Sequence, residues 1–376
     1  MQAAAESPCR LEPAGRPCGV NTIPILDGHN DTLTQIRRAP ADQRRTFLER
    51  SDRGHIDLPR ARDGGLAGGF FAIFTPSPNY ERSPVPLLDT DGKVVPGGVA
   101  YPLPPKLDRR SALSFTLSVM ADLFRLEQEA DGEVAVVRTS AELRRCIEEG
   151  VLAAILHIEG VACLDTRLET LEVLHQAGLR SLGPVWSRPN AFARGVPFDF
   201  PRSPDTGPGL TAAGRRLVAA CNRLGVLIDL SHMNEAGFWD VERLSDAPLV
   251  CTHSAVHALC RSPRNLTDRQ LDAVRASGGV VGINFHVGFL REDGDDTQPT
   301  SLTEIVRHAR YAADRMGIEH VALGSDFDGA TMPGDLRDAA GLPSLMEALR
   351  DAGFGESDLR RVAHENWERV LAATWN

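Results

Sequence analysis

Ile25-Leu26-Asp27-Gly28-His29-Asn30-Asp31 is a short apolar run that ends in a His-x-Asp pair. A strand sets residues i and i+2 on one face, so the His29 imidazole and the Asp31 carboxylate can reach one point beyond the strand's end. That is a metal-shaped arrangement. A capped turn after a strand has the same local sequence, so the rest of the chain has to decide between the two.

Outward from this stretch, short apolar runs alternate with longer amphipathic segments. The candidate strands are Ile23–Leu26, Phe70–Thr75, Leu152–Ile158, Ser181–Trp186, Val226–Leu230, Leu249–Thr252, Val280–Phe285 and Val321–Gly324. Helical periodicity lies between most of them, over Leu113–Ala130, Ala141–Glu149, Leu168–Ala177, Ala212–Leu224, Glu235–Leu244, Asp268–Ala276 and Leu302–Met316. Ser140, Thr211, Thr267 and Ser301 are candidate N-caps, and Ser357–Thr374 reads as one or two closing helices. Eight aliphatic strands, each followed by a crossover, predict an α/β fold of the (β/α)8 TIM-barrel type. A doubly wound open sheet is the alternative, but no GxGxxG or P-loop follows any strand. The expected organisation is an N-terminal tail over 1–22 and one barrel domain over 23–376.

Two segments rich in Pro, Gly and Asp, 76–110 and 187–209, interrupt the rhythm. Both follow strands, so in a barrel they rise from the C-terminal face as inserted loops, where a lid or pocket wall would stand.

The net charge of -10 over 376 residues, with no run of Lys or Arg, excludes nucleic acid and anionic membrane as expected partners. No apolar run has transmembrane length, and residues 1–20 lack a basic segment followed by an apolar one, so no signal peptide is read. A cytoplasmic protein acting on a small molecule is expected. Seven scattered cysteines without a CxxC suggest neither a disulfide framework nor a zinc knuckle.

The strand ends carry the chemistry. His29 and Asp31 follow the first strand, Glu159 the third, His232 the fifth, His253 the sixth and Asp326 the eighth. In a closed parallel barrel these ends share one rim. Imidazoles and carboxylates without thiolates suit zinc or another borderline divalent ion. The set exceeds what one tetrahedral ion needs, which points to two ions sharing a carboxylate.

These residues lie in segments with a specific resemblance. DGHND (27–31), IEG (158–160), DLSH (229–232), THS (252–254), SPRN (262–265), GSDFDG (324–329) and HENWERV (364–370) resemble, in order, the signature segments of the renal or membrane dipeptidase family, a branch of the amidohydrolase barrels. The resemblance implies two zinc ions bridged by Glu159 and a water or hydroxide. It implies that His29 and Asp31 hold one ion and that His232 and His253 hold the other. Asp326 would handle protons, and Arg264 would bind the substrate's free carboxylate. Small dipeptides, including L-Xaa-D-Xaa, are the implied substrates, and a homodimer is possible.

One position departs from the resemblance. Trp186 stands where the animal enzymes have a histidine thought to contact the tetrahedral intermediate. An indole offers one N–H donor and an apolar wall, and it cannot accept a proton. Arg188, Asn190, Arg194 and His157 are candidate replacements, and Trp186 and Asn190 are expected beside the substrate. His157 and His286 are otherwise read as rim or barrel-lining residues. Two further readings stay open: a binuclear hydrolase of another amide, a lactone or an N-acyl amino acid, and a catalytically silent barrel that binds a ligand or partner.

Overall fold

The computed structural model describes residues 23–78, 80 and 83–375, so the tail over 1–22, with Cys9 and Cys18, lies outside the described residues. The strands are β1 (Ile25–Asn30), β2 (Leu66–Phe74), β3 (Val85–Leu88), β4 (Val94–Ala100), β5 (Val134–Val136), β6 (Leu152–Glu159), β7 (Ser181–Gly183), β8 (Leu227–Ile228), β9 (Val250–Ser254), β10 (Val280–Ile283) and β11 (Val321–Leu323). Parallel pairing runs β1-β2-β6-β7-β8 in one arc and β9-β10-β11 in a second. Parallel bridges Asp229–Val250 and Asn30–Phe327 join the arcs. Leu230 N–H donates to the Val250 carbonyl at 2.9 Å and Asp31 N–H to that of Phe327 at 2.8 Å. The ring is therefore closed, as a (β/α)8 barrel requires.

β6 illustrates why these residues form staves. All eight of its residues are buried, as expected of a parallel strand covered on both faces. Ala153 and Ile155 face the barrel interior with Leu26, Phe70, Leu227, Val250, Val280 and Ala322. Leu152, Ala154, Leu156 and Ile158 face the helix layer. The interior cluster is completed by Trp367, which is fully buried and whose Nε1 donates to the Leu323 carbonyl at 3.1 Å. A Cβ on Gly28 or Gly282 would crowd its indole at 2.6 and 3.0 Å, so both strands need glycine there.

Helices Ala212–Leu224, Glu235–Leu244 and Asp268–Ala276 have the expected bounds. Some boundaries differ from the sequence reading. Thr139, not Ser140, caps the helix Ser140–Glu149, its hydroxyl accepting from Glu142 N at 3.1 Å. The fourth and fifth barrel strands shrink to β7 and β8, because Pro184 cannot continue the ladder and the chain after Ile228 bridges to the next arc. The 76–110 insertion contains an antiparallel hairpin, β3–β4. Val99 in that hairpin and Phe200 in the second insertion exchange backbone hydrogen bonds of 2.8 and 2.7 Å, which ties the insertions together. No described helix is long and apolar enough to cross a membrane.

Candidate active site

The strand ends named from the sequence meet on one rim. His29 lies near the end of β1, and Asp31 is the N-cap of the helix Thr32–Arg38, but its side chain makes no capping hydrogen bond. The pair therefore does not rely on the strand pleat alone, since the β1 register shifts between Asp27 and Asn30. His29 Nε2 stands 3.8 Å from Asp31 Oδ2 and 4.0 Å from Glu159 Oε1. The same Oε1 lies 2.8 Å from His232 Nε2 and 3.5 Å from His253 Nε2. Glu159, the last residue of β6, is thus the hub of two sets, His29/Asp31/Glu159 and Glu159/His232/His253. A third set, His29/His253/Asp326, spans both, with ligand atoms within 4.8 Å of one another.

Burial dictates the electrostatics. Desolvation pushes the Glu159 carboxyl well above its ordinary range and raises Asp31. The same effect holds the His232 and His253 imidazoles well below theirs, with the Arg264 charge adding to it. For His29, burial works against the charged form, but the Glu159, Asp31 and Asp326 carboxylates outweigh it and push the ring up to about 10. A proton on His29 thereby serves the carboxylates as a metal cation would. His29 Nδ1 and Nε2 and Asp31 Oδ1 are buried without a hydrogen-bond partner, a costly condition in a protein interior. The oxygen and nitrogen donors fit a divalent cation of the zinc type.

Supporting contacts aim the donors. Ser187 Oγ lies 3.2 Å from His232 Nδ1, and Thr252 Oγ1 lies 2.8 Å from His253 Nδ1. Asn284 donates to Asp326 Oδ2 at 3.0 Å, and Asp326 N–H to the His29 carbonyl at 3.0 Å. Asp326 has a φ of +61°, a conformation to which Asp is better suited than most residues. A Cβ on Gly329 would collide with the Asp31 and Asp326 carboxylates, so glycine lets these two acids approach. Ser187, Thr252 and Asn284 escaped the sequence reading; the signal was present for Thr252 alone, as the neighbour of His253 in the THS segment.

A cavity of about 380 Å³ opens over this rim, lined by Asp31, Glu159, His232 and Asp326 on its floor and by Phe74, Trp186, Phe198 and Phe289 on its walls. His286 also lines it, and the Thr331 N–H approaches its Nδ1 at 3.3 Å. Trp186 packs on Phe74 and Phe198 at ring-centroid distances of 4.8 and 5.3 Å. Arg188 lies behind that wall, 5.5 Å from the Phe74 and Trp186 rings, donating to Ser77 and to the Thr75 carbonyl. Asn190 and Arg194 are not among the lining residues. The Asn190 amide instead orders its own loop, donating to the Pro184 carbonyl at 2.8 Å and accepting from Phe192 N and Ala193 N. His157 is buried beneath the floor against Ser181. Arg264 is also buried and absent from the lining residues, its guanidinium 5.2 Å from the Phe289 ring of the wall, donating to the main-chain carbonyls of Ser231 and His253, with Nε unpartnered.

Known proteins resemble this chain in sequence and in fold. A crystal structure of a metallopeptidase from Rhodobacter sphaeroides, liganded with a phosphinate mimic of the dipeptide L-Ala-D-Ala, is 47% identical with a TM-score of 0.87, covering 94% of this chain and 100% of that one. The crystal structure of dipeptidase AC, a metallopeptidase of family M19, is 48% identical with a TM-score of 0.86, covering 94% and 99%. Dipeptidase verJ of Clonostachys rogersoniana is 28% identical over 93% of this chain and 84% of its own. An uncharacterized protein of Klebsiella pneumoniae from the pqqA 5' region is 50% identical over 68% of this chain and 94% of its own. A sequence profile of the membrane dipeptidase family matches residues 20–376. The chain therefore belongs to the membrane dipeptidase family, peptidase family M19, and is a metallo-dipeptidase by that membership.

Proposed function

We propose that this protein is a binuclear zinc dipeptidase that hydrolyses small dipeptides, L-Xaa-D-Xaa included, in the cytoplasm. The observation that carries the reading is Glu159, whose carboxylate is common to two buried His/carboxylate sets. His29 and Asp31 would hold one ion, His232 and His253 the other, and Glu159 both. The 47% identical Rhodobacter sphaeroides enzyme, with its L-Ala-D-Ala mimic, supports the substrate class. The five described cysteines are free and buried, in keeping with a reducing compartment.

Two such ions, when bound, supply hydroxide near neutral pH and polarise a scissile carbonyl. The chain's own groups do the rest. Asp326 has Oδ2 committed to Asn284, so Oδ1 takes the proton of the attacking water and returns it to the leaving amine. Phe74, Trp186 and Phe198 exclude water from one side of the reacting bond. Arg264 is the residue assigned to the substrate's carboxylate, because Nε has no partner and Nη1 and Nη2 each give one N–H to a main-chain carbonyl and keep a second.

The test is turnover by zinc-reconstituted protein of L-Ala-D-Ala, L-Ala-L-Ala, N-acetyl-L-alanine and a simple lactone. Cleavage of the L,D dipeptide is expected, with KM raised in Arg264→Lys. Turnover of the lactone or the N-acyl amino acid without dipeptide turnover would overturn the proposal.

A further inference from the structure

Beneath the rim, one buried carboxylate has contacts that reach toward both halves of the centre. Asp229 is 2% exposed. Its Oδ1 accepts from Ser231 N at 3.0 Å, Ser231 Oγ at 2.5 Å and Thr252 N at 2.8 Å. Its Oδ2 accepts from Thr252 Oγ1 at 2.6 Å. That hydroxyl has one proton, and giving it to Asp229 leaves the Thr252 oxygen as the acceptor for His253 Nδ1–H, 2.8 Å away. His253 is then fixed in the tautomer whose Nε2 lone pair faces Glu159. Ser231 Oγ, held by Asp229, also accepts the His253 N–H at 3.0 Å.

The second branch runs through His157. Its Nδ1 is paired with Ser181 Oγ at 2.8 Å, and its Nε2 faces Asp229 Oδ2 at 3.8 Å. The His157 ring meets His29 edge to face, with centroids 5.5 Å apart and planes at 78°. Ligand-capable atoms of His29, His157 and Asp229 lie within 4.8 Å of one another, and all three residues are buried. His157 is thus wedged between Asp229 and the ring of His29.

We propose that Asp229 is the common positioning residue of the binuclear centre, orienting His253 through Thr252 and His29 through His157. The inference rests on the two-ion reading above. Its physical basis is that a ligating imidazole binds a cation well when outer partners fix its orientation: Thr252 holds His253 at Nδ1, whereas His29, whose Nδ1 has no partner, is held by the packing of its ring on His157. Here the two rings trace back to a single acid, so disturbing that acid should loosen both ions together, while disturbing either branch should loosen one.

The test uses the full-length protein and zinc alone. Zinc content after dialysis is measured by elemental analysis, and the two stepwise affinities by competition with a chromophoric chelator. Asp229→Asn should weaken both steps by about 10- to 100-fold, the range typical of outer partners of metal ligands. Thr252→Val and His157→Phe should each weaken a single step, and Thr252→Ser should restore the first of these. Should Asp229→Asn fail to fold, the two branch variants decide by themselves. Wild-type affinity at both steps in Thr252→Val and His157→Phe would overturn the inference, as would an equal loss of melting temperature with and without zinc in either variant. Three zinc ions per wild-type chain would also overturn it, because His29, His157 and Asp229 would then be ligands themselves. Two tightly bound ions without dipeptide turnover would refute the proposed substrate and leave this inference intact.

Discussion

The Nε2 atoms of His232 and His253 face one another at 3.2 Å, both beside Glu159 Oε1. Burial and the Arg264 charge keep both rings neutral, so these lone pairs converge on a point suited to a cation. Zinc should raise the melting temperature of the chelator-treated protein. At a free concentration about 1,000 times the Kd, the expected stabilisation is about 4 kcal/mol. Calorimetry with and without zinc checks this. Glu159→Gln should lose most of the increment, because a neutral amide replaces the carboxylate common to both sets.

Asp326→Asn should retain zinc and the native circular dichroism spectrum, since Asn also tolerates the positive φ at this position. Its kcat should fall by about 10²- to 10⁴-fold, the usual contribution of general acid–base catalysis. Steady-state kinetics alongside metal analysis would separate this from loss of the ions. Retained turnover would remove the proton role.

Acid sensitivity should arise away from the rim, at His308. Its Nδ1 accepts from Val256 N at 3.0 Å, and its Nε2 reaches the Leu290 carbonyl at 2.9 Å. Burial lowers its pKa from 6.5 to about 4. Between those values the unfolded chain binds a proton that the folded chain refuses, so stability rises with pH across this window. The contribution is complete above about pH 6.5 and is lost as pH falls toward 4, a change on the order of 3 kcal/mol. His308→Gln should be less stable at pH 7 yet show a shallower decline from pH 6.5 to 4. Urea titrations at several pH values measure both.

Trp367→Ala should cost about 3–5 kcal/mol, the range for deleting a large buried aromatic side chain. The indole occupies the barrel interior where Gly28 and Gly282 leave room, so the neighbouring backbone has little means of closing the gap. Chemical denaturation of zinc-free protein would show the loss. A change below about 1 kcal/mol would mean that the interior collapses around the missing ring.

The barrel was legible because aliphatic runs such as Leu152–Ile158 are interrupted by ionisable residues only at their ends, and a closed ring turns strand ends into neighbours. Glu159 and Asp326 are far apart in the chain, and only the ring brings both to one cavity. Short staves were harder to read. β7 and β8 have few ladder bonds of their own, and their bounds are set by neighbouring strands rather than by local propensity. The hairpin in 76–110 was hidden because Pro86, Pro96 and paired glycines disguise its alternation. Asn190 was hard to place for a related reason: an amide in a Pro-rich loop suits a ligand and its own backbone equally in sequence, and only geometry shows which backbone groups it holds. Arg264 was singled out by its spacing from His253, but the carbonyls it holds, those of Ser231 and His253, belong to distant main-chain segments, which no side-chain pattern reveals.

The pairing of Val99 with Phe200 has a consequence for how this enzyme's selectivity can change. Phe198, two residues from that pairing, is part of the cavity wall, so the hairpin some hundred positions earlier in the chain helps set where the wall stands. Neither insertion is an independent module. Exchanging one of them with a relative would transplant half of a joined structure, whereas exchanging both would carry the wall across intact.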